Sequence, residues 1–299
     1  MRLVTSTRTG AAERPAAIAG PLVALIVGAI AMAISPILVR LADVGPFASA
    51  FWRVALALPV LYAWMRVSER GARPASGGLT QPIVWVGVTF AGDLFFWHLA
   101  ILHTSVANAT FFATMAPLWV VLFAWLIFGQ RASGVVLTGL ALCLVGGTIL
   151  VSRSIQLRSG GSLGDLYGLV TGIFFGLYFL AVSAARTQGS ASRVTFQATA
   201  ITAAMLLVVA LLLEHRMLPH TLRGLATLVA LAWVSHAGGQ GLLSIALGRL
   251  PAVFSSLVIF LEAIAAAGFA WLILSEPVSW VQAAGGATIL AGIFVARPR

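Results

Sequence analysis

The chain has 299 residues, of which 60% are hydrophobic and only 9% are charged, and its formal net charge is +10. A soluble domain carries roughly 25% charged residues, because water demands a polar surface and a lipid bilayer does not. The composition therefore excludes an ordinary soluble domain and predicts an all-α integral membrane protein. The strongly basic residues are all arginines spread between apolar runs, so the charge does not indicate a nucleic-acid-binding surface.

Apolar runs long enough to cross a bilayer follow one another along the chain. A spanning helix needs about 20 consecutive, mostly apolar residues. Runs of this length predict ten transmembrane helices, at 16–39, 46–65, 81–102, 105–128, 133–152, 165–185, 194–213, 224–247, 252–274 and 278–296. The longest central linker, 153–164, is rich in serine and glycine and divides the chain near its middle.

The distribution of arginines predicts how these helices are oriented. Cytoplasmic loops of membrane proteins carry an excess of basic residues. If the N-terminus is cytoplasmic, most of the arginines fall in segments on the inner side of the membrane. We therefore expect residues 1–15 to form a cytoplasmic tail and both termini to be cytoplasmic.

The second half of the chain repeats the first. The matched positions include Ala124-Trp-Leu-Ile with Ala270-Trp-Leu-Ile, Gly139 with Gly285, and Gly146 with Gly292. Each half holds five predicted helices, an odd number, so the second half enters the membrane from the opposite side. The sequence thus predicts a first repeat at 16–152, an external linker at 153–164 and an inverted repeat at 165–299. Inverted halves of this kind suit alternating access, because they can build two states of similar energy.

Two stretches at equivalent positions resemble a known family. They are Ala100-Ile-Leu-His-Thr-Ser-Val-Ala-Asn108 with Pro117 and Ala124-Trp-Leu-Ile-Phe-Gly-Gln130, and Ala246-Leu-Gly-Arg-Leu-Pro-Ala252 with Glu262 and Ala270-Trp-Leu-Ile-Leu-Ser-Glu276. They resemble the two EamA-type repeats of the drug/metabolite transporter superfamily, and segments 47–59 and 93–108 are most similar to its bacterial (aromatic) amino-acid exporter branch. The resemblance implies a ten-helix exporter of amino acids or similar metabolites in the bacterial inner membrane.

Two acidic residues lie near the middle of predicted helices. Charges inside a bilayer are costly, so Asp93 and Glu262 are expected to face the bundle interior or a water-filled cavity. Each is a candidate site for a substrate ammonium group or a proton, or else a structural carboxyl between helices. Trp97 lies one turn after Asp93, on the same helix face, where it provides either a cation–π wall for an amine or ordinary packing.

The eighth predicted helix carries a polar stripe. Trp233, His236 and Gln240 are spaced by three and four positions, so an α-helix places them on one face, as a cavity wall or as interhelical hydrogen-bonding groups. Asn108 and Tyr178 are further candidates for lining the cavity, with capping or packing as the alternative. We expect these residues to meet in one substrate-binding cavity at the bilayer midplane.

Arg53 lies about two turns into the second predicted helix. One interpretation is that its guanidinium binds a substrate carboxylate. Long basic side chains also extend from apolar helices to the membrane surface, and Asp43 is close in sequence. We favour this structural interpretation, in which Arg53 reaches the outer surface or pairs with Asp43.

These features predict a transporter of amino acids or similar small metabolites, with the lipid bilayer and, as a candidate, protons as its other partners. Other cargo, such as cationic drugs or nucleosides, is the first alternative. An intramembrane enzyme is the second, but the sequence shows no paired nucleophile and base, so no enzymatic activity is predicted. The single Cys143 forms no metal motif, and no cofactor or nucleic-acid partner is predicted.

Overall fold

A computed structural model of the protein describes residues 15–70, 78–104, 106–152, 162–275 and 278–298. Within those ranges the chain is helical and contains no strand. The elements group into ten helices: α1 (Pro15–Ala33 and Ser35–Leu41), α2 (Pro46–Ala55 and Leu58–Ser68), α3 (Gln81–His103), α4 (Val106–Ala113 and Ala116–Phe128), α5 (Gly134–Val151), α6 (Ser162–Arg186), α7 (Ala191–Leu213), α8 (Leu222–Ala230, a π-helical segment Leu231–Gln240, and Gly241–Leu247), α9 (Ala252–Val258 and Phe260–Leu274) and α10 (Trp280–Ala296). The predicted starts of α2, α3 and α9 coincide with the observed ones.

Prolines explain most of the interruptions inside these helices. The breaks in α1, α2 and α4 come directly before Pro36, Pro59 and Pro117, because proline cannot donate the hydrogen bond of a continuous helix. The break in α9, at Ile259, has no proline beside it. It places Glu262 in the first turn of a new helical segment, with the Glu262 N–H donating a hydrogen bond of 2.8 Å to the Ile259 carbonyl.

The helices have the lengths and composition of membrane spans. Eight are long and apolar enough to cross a bilayer, and the segments Gly134–Leu150 and Trp280–Ala296 are shorter apolar helices. The all-α membrane fold is therefore confirmed, while the count of ten spans stays a prediction. The tail at 1–14 and most of the predicted linker lie outside the described residues, so the proposed domain boundaries also stay predictions.

Helices α5 and α10 show directly that the halves are inverted. A Cβ atom added to Gly139 would lie 2.7 Å from the backbone oxygen of Gly292, and one added to Gly146 would lie 2.7 Å from that of Gly285. Residues with increasing numbers along α5 thus contact residues with decreasing numbers along α10, so the two helices are antiparallel. Since they occupy equivalent places in the two repeats, the repeats run in opposite directions through the membrane.

The other helix contacts follow the same symmetry. Exchanging each helix for its equivalent, α1 for α6, α2 for α7, α3 for α8 and α4 for α9, turns one observed contact into another. The contact of α3 with α6 corresponds to that of α8 with α1, that of α4 with α6 to that of α9 with α1, and that of α3 with α7 to that of α8 with α2. A pseudo-two-fold axis therefore relates the halves. Three contacts join a helix to its own equivalent across this axis, namely α2 with α7, α4 with α9 and α5 with α10.

The α2–α7 pair is tied at both ends by a carboxylate. Glu69, which follows α2, accepts hydrogen bonds from Arg193 Nε at 2.9 Å and Arg193 Nη2 at 2.8 Å, and from Ser190 Oγ at 3.2 Å. Glu214, which follows α7, accepts a hydrogen bond of 2.7 Å from the backbone N–H of Phe47. Because α2 and α7 are antiparallel, these clamps lie on opposite faces of the bundle, which we call the Glu69 surface and the Glu214 surface.

Candidate substrate-binding site

Two adjoining cavities lie inside the bundle. The larger spans about 490 Å³ of space between atoms, part of it open to solvent, and we call it the charged chamber; its wall includes Ser35, Arg53, Asp93, Trp97, Gln240 and Glu262. The smaller spans about 270 Å³ of space between atoms, part of it open to solvent, and we call it the hydroxyl chamber; its wall includes Tyr178, Thr195, Thr199, His236, Gln240 and Ser244. Phe90 and Gln240 belong to both walls, so the chambers share a boundary.

Arg53 projects from α2 into the charged chamber and is only 5% exposed. Its Nη2 donates a hydrogen bond of 3.3 Å to Ser235 Oγ, which in turn donates one of 3.1 Å to Ser35 Oγ. The Arg53 Nε has no partner among the described residues. A guanidinium carries five N–H donors, so most of its hydrogen-bonding capacity remains available to an anion in the chamber.

Neither contact expected of Arg53 is formed, so the prediction that it reaches the outer surface or pairs with Asp43 is wrong. Its side chain does not reach the outer surface, and its guanidinium does not bond Asp43. The Asp43 carboxylate instead accepts hydrogen bonds from Thr221 Oγ1 at 2.8 Å and from the backbone of Thr221 and His220. These bonds, led by the one from the Thr221 hydroxyl, lower the pKa of Asp43.

Asp93 and Glu262 bring two carboxyl groups to the same chamber. Asp93 extends from α3, and Glu262 extends from the segment of α9 that begins after the break. In the described part of the chain, neither carboxyl forms a hydrogen bond or an ion pair with the protein. Carboxyl groups inside a membrane protein are costly unless something pairs with them, so both are available to a ligand, a proton or water.

Trp97 completes this part of the wall. It lies on the same face of α3 as Asp93, as its spacing predicted, and it is 7% exposed. Its ring stands edge-on to that of His98 at 5.0 Å between centroids. The residue thus packs against its neighbours and also presents an aromatic surface beside the Asp93 carboxyl.

A small polar cluster separates the two chambers. The Tyr178 hydroxyl donates a hydrogen bond of 2.8 Å to Gln240 Oε1, and the rings of Phe90 and Tyr178 lie 4.9 Å apart. The ring of His236 also lies close to Phe90, at 5.3 Å between centroids, and His236 Nε2 is 2.9 Å from Thr199 Oγ1. With the Gln240 amide oxygen bonded to Tyr178, its amide NH₂ is left to serve the chambers as a donor.

The predicted stripe on α8 is wrong for Trp233. His236 and Gln240 are buried in the chamber walls, whereas Trp233 is 53% exposed and donates its indole N–H to the Leu56 carbonyl at 3.1 Å. The reason is the π-helical segment Leu231–Gln240, whose wider turn moves residues three positions apart onto different faces. The side chain of Asn108 lies outside the described residues.

Sequence reasoning missed the buried threonines of α7. Thr195, Thr199 and Thr202 recur at helical spacing and line the hydroxyl chamber. A row of hydroxyls within an apolar run was the available signal, but threonines inside membrane helices often bond their own backbone, as Thr202 does with the Ala198 carbonyl. Among the described residues, no three histidine, cysteine or acidic side chains come together as metal ligands would.

The fold and the buried charged cavity define a membrane transporter, and comparison with known proteins gives its family. The chain belongs to the EamA-like transporter family, which it matches in two repeats, at residues 19–152 and 162–297. It is therefore a multi-pass membrane transporter of the drug/metabolite transporter superfamily, as its repeats predicted.

Named relatives agree with this class. The chain is 28% identical to the pseudopaline exporter CntI of Pseudomonas aeruginosa over 240 residues, which cover 80% of this chain and 82% of the exporter. It is 25% identical to an uncharacterized transporter of Archaeoglobus fulgidus over 66% of this chain and 69% of that protein. A solved structure, 18% identical, superposes with a TM-score of 0.81 and covers 93% of this chain and 97% of its own; this likeness shows the fold alone.

Proposed function

We propose that this protein exports amino acids or similar small zwitterionic metabolites by alternating access. The observation that carries the proposal is that one guanidinium and two carboxyl groups line the same chamber, those of Arg53, Asp93 and Glu262. An amino acid has a carboxylate for the first group and an ammonium for the second. Its charges would replace the water that each buried group otherwise needs.

The architecture supports alternating access. Two inverted halves can exchange conformations, so that the chamber faces one side of the membrane and then the other. The charged groups lie at the interface of the halves, since Arg53 and Asp93 come from the first repeat and Glu262 from the second. The relationship to the pseudopaline exporter supports export and a place in the bacterial inner membrane, and both termini are expected to be cytoplasmic.

Protons are the proposed coupling partner. Asp93 and Glu262 have no protein partner among the described residues, and each can exchange a proton for a substrate ammonium. We therefore expect transport to respond to a pH gradient, and Glu262→Gln to flatten that response while leaving the protein folded. Unchanged pH dependence in the variant would remove Glu262 from the coupling step.

The test of the proposal is uptake by proteoliposomes, with labelled amino acids and the corresponding decarboxylated amines as competitors. In the wild-type protein an amino acid should compete better than its amine, because only the amino acid offers Arg53 a carboxylate. Arg53→Gln should weaken competition by the amino acid by roughly 30-fold or more and abolish the discrimination between the amino acid and its amine. Arg53→Lys should restore part of that discrimination.

Arg40→Gln is the matched control, because Arg40 is an exposed arginine at the end of α1 and lies outside both chambers. It should leave uptake and discrimination unchanged. If amino acids are neither transported nor bound by the wild-type protein, the proposed substrate class is wrong.

Pseudopaline is a second candidate cargo, and the 28% identity with its exporter is what favours it. It belongs in the same competition panel. Strong competition by pseudopaline with none by free amino acids would replace the first candidate by the second.

A further inference from the structure

The hydroxyl chamber lies beyond the charged chamber along the membrane normal. Its wall includes Val182, Val194 and Ser244, all within five residues of helix ends at the Glu69 surface. The wall of the charged chamber instead includes Ser35 and Thr110, which lie near helix ends at the Glu214 surface. A molecule held by the charged groups can therefore reach the hydroxyl chamber only by extending toward the Glu69 surface, past Phe90 and Gln240.

The hydroxyl chamber contains polar atoms with nothing to bond. Thr195 is 6% exposed and His236 is 1% exposed, yet Thr195 Oγ1 and His236 Nδ1 have no hydrogen-bonding partner among the described residues. Both residues line the chamber. A buried polar atom without a partner is costly, so these two atoms indicate a site that receives a polar group.

The remaining wall restricts what that group can be. The described wall residues include no arginine, aspartate or glutamate. Hydroxyl, amide and imidazole groups alternate with the apolar side chains of Val86, Val182, Val194 and Ala198. An ionised group would lose its hydration here and find no opposite charge, whereas an uncharged group with a hydroxyl or amide end would find both apolar contact and hydrogen bonds.

We propose that the hydroxyl chamber is the side-chain pocket of the substrate site, selecting side chains that are uncharged and carry a hydrogen-bonding group. The substrate's charged groups occupy the charged chamber, and its side chain passes between Phe90 and Gln240. Tyr178 is a positioning residue in this arrangement, because its hydroxyl holds the amide of Gln240 at the entrance. The proposal rests on the proposed function for the anchoring of the substrate, but the pocket's preference for uncharged groups can be measured without any substrate.

The substrate-independent experiment is cysteine reactivity in a Cys143→Ser background. Thr195→Cys places a thiol in the hydroxyl chamber, and Thr110→Cys places one in the charged chamber. A neutral methanethiosulfonate should modify Thr195→Cys at least about tenfold faster than a cationic one of similar size, because the cation cannot be desolvated there. The preference should shrink or reverse for Thr110→Cys, because the wall of that chamber includes the carboxyl groups of Asp93 and Glu262.

If Thr195→Cys reacts with neither reagent, or reacts with the cation as fast as with the neutral compound, the proposal is overturned. This result does not depend on whether amino acids are substrates. The proposed function can therefore fail while the pocket stands, or the reverse.

The second experiment measures competition for binding of labelled glutamine to the purified protein. Glutamate has the same shape with a charged end, and valine has the shape of threonine without its hydroxyl. Glutamine should compete better than glutamate by roughly tenfold or more, and threonine better than valine by several-fold. Thr195→Val should remove the preference for threonine over valine.

Thr171→Val is the matched control, since Thr171 is a fully buried threonine of α6 that lines neither chamber. It should keep both preferences. Tyr178→Phe should weaken binding of glutamine and leave binding of valine unchanged. If Tyr178 had a purely structural role, its substitution would weaken the binding of both. Equal competition by glutamine and glutamate in a protein that binds amino acids would overturn the side-chain pocket and leave the proposed function intact.

Discussion

Of the helix pairs that meet across the pseudo-two-fold axis, α5–α10 and α2–α7 are built in opposite ways. The α5–α10 pair meets through glycines, so closely that a Cβ atom on Gly285 would lie 2.6 Å from the backbone nitrogen of Leu150. The α2–α7 pair is instead held at its two ends by the Glu69 and Glu214 clamps. The α5–α10 interface thus relies on backbone contact along the helices, and the α2–α7 interface relies on hydrogen bonds at the two surfaces.

The two pairs also differ in what they line. No described residue of α5 or α10 belongs to either chamber, whereas α2 supplies Arg53 to the charged chamber and α7 supplies Thr195 to the hydroxyl chamber. Close glycine packing leaves no room for a larger side chain between the two backbones, because backbone atoms cannot rotate away as side chains do. The pseudo-two-fold axis therefore brings together one close-packed glycine interface and one polar interface whose helices line the two chambers.

The largest expected effect comes from placing a large side chain in the α5–α10 glycine interface. Gly285→Leu should lower the melting temperature of the detergent-solubilised protein by on the order of 10 °C, because the atoms it meets are backbone atoms that cannot move aside. Gly134→Ala is the control on the partner helix, since a Cβ there has nothing within 4 Å. A thermal shift assay of both variants measures the difference, and a normal melting temperature for Gly285→Leu would disprove close backbone packing at this interface.

Breaking a clamp of the α2–α7 pair should have a smaller effect. Glu69→Gln removes a two-pronged ion pair with Arg193 at an accessible surface, which is worth about 1 kcal/mol or less, so the melting temperature should fall by only a few degrees. Glu214→Gln should cost less still, because its amide oxygen can still accept the bond from the Phe47 N–H. A double-mutant cycle of Glu69→Gln with Arg193→Gln measures the coupling, and additive effects would mean that the pair contributes nothing.

The smallest expected effect is the pH dependence of this clamp. The hydrogen bond from Arg193 lowers the pKa of Glu69, so its stabilising effect is present above the ordinary glutamate pKa of about 4.3 and is lost as the pH falls through the lowered value. The melting temperatures of the wild-type protein and Glu69→Gln should therefore differ at neutral pH and converge below about pH 4. A constant difference over that range would assign the effect of the substitution to something other than the carboxylate.

Much of the site was predictable where one helix decides the geometry. Asp93 and Trp97 are one turn apart on α3, so their shared face followed from helical spacing. The same rule misplaced Trp233, because nothing in the sequence marked Leu231–Gln240 as π-helical. The pocket residue Thr195 was visible as a polar residue in an apolar run, but its orientation depends on how α7 packs against α3 and α8.

The sequence by itself determined the membrane environment, the duplication and the inversion of the halves, because these depend on composition and on the order of apolar runs. Only the tertiary structure decided how the ionisable and polar groups meet. Arg53 faces the charged chamber because α8 brings Ser235 against it, and the chambers are divided because Tyr178 of α6 reaches Gln240 of α8. Such contacts join residues far apart in the chain, and their formation depends on the depth and rotation of each helix in the bundle, which helix–helix packing fixes.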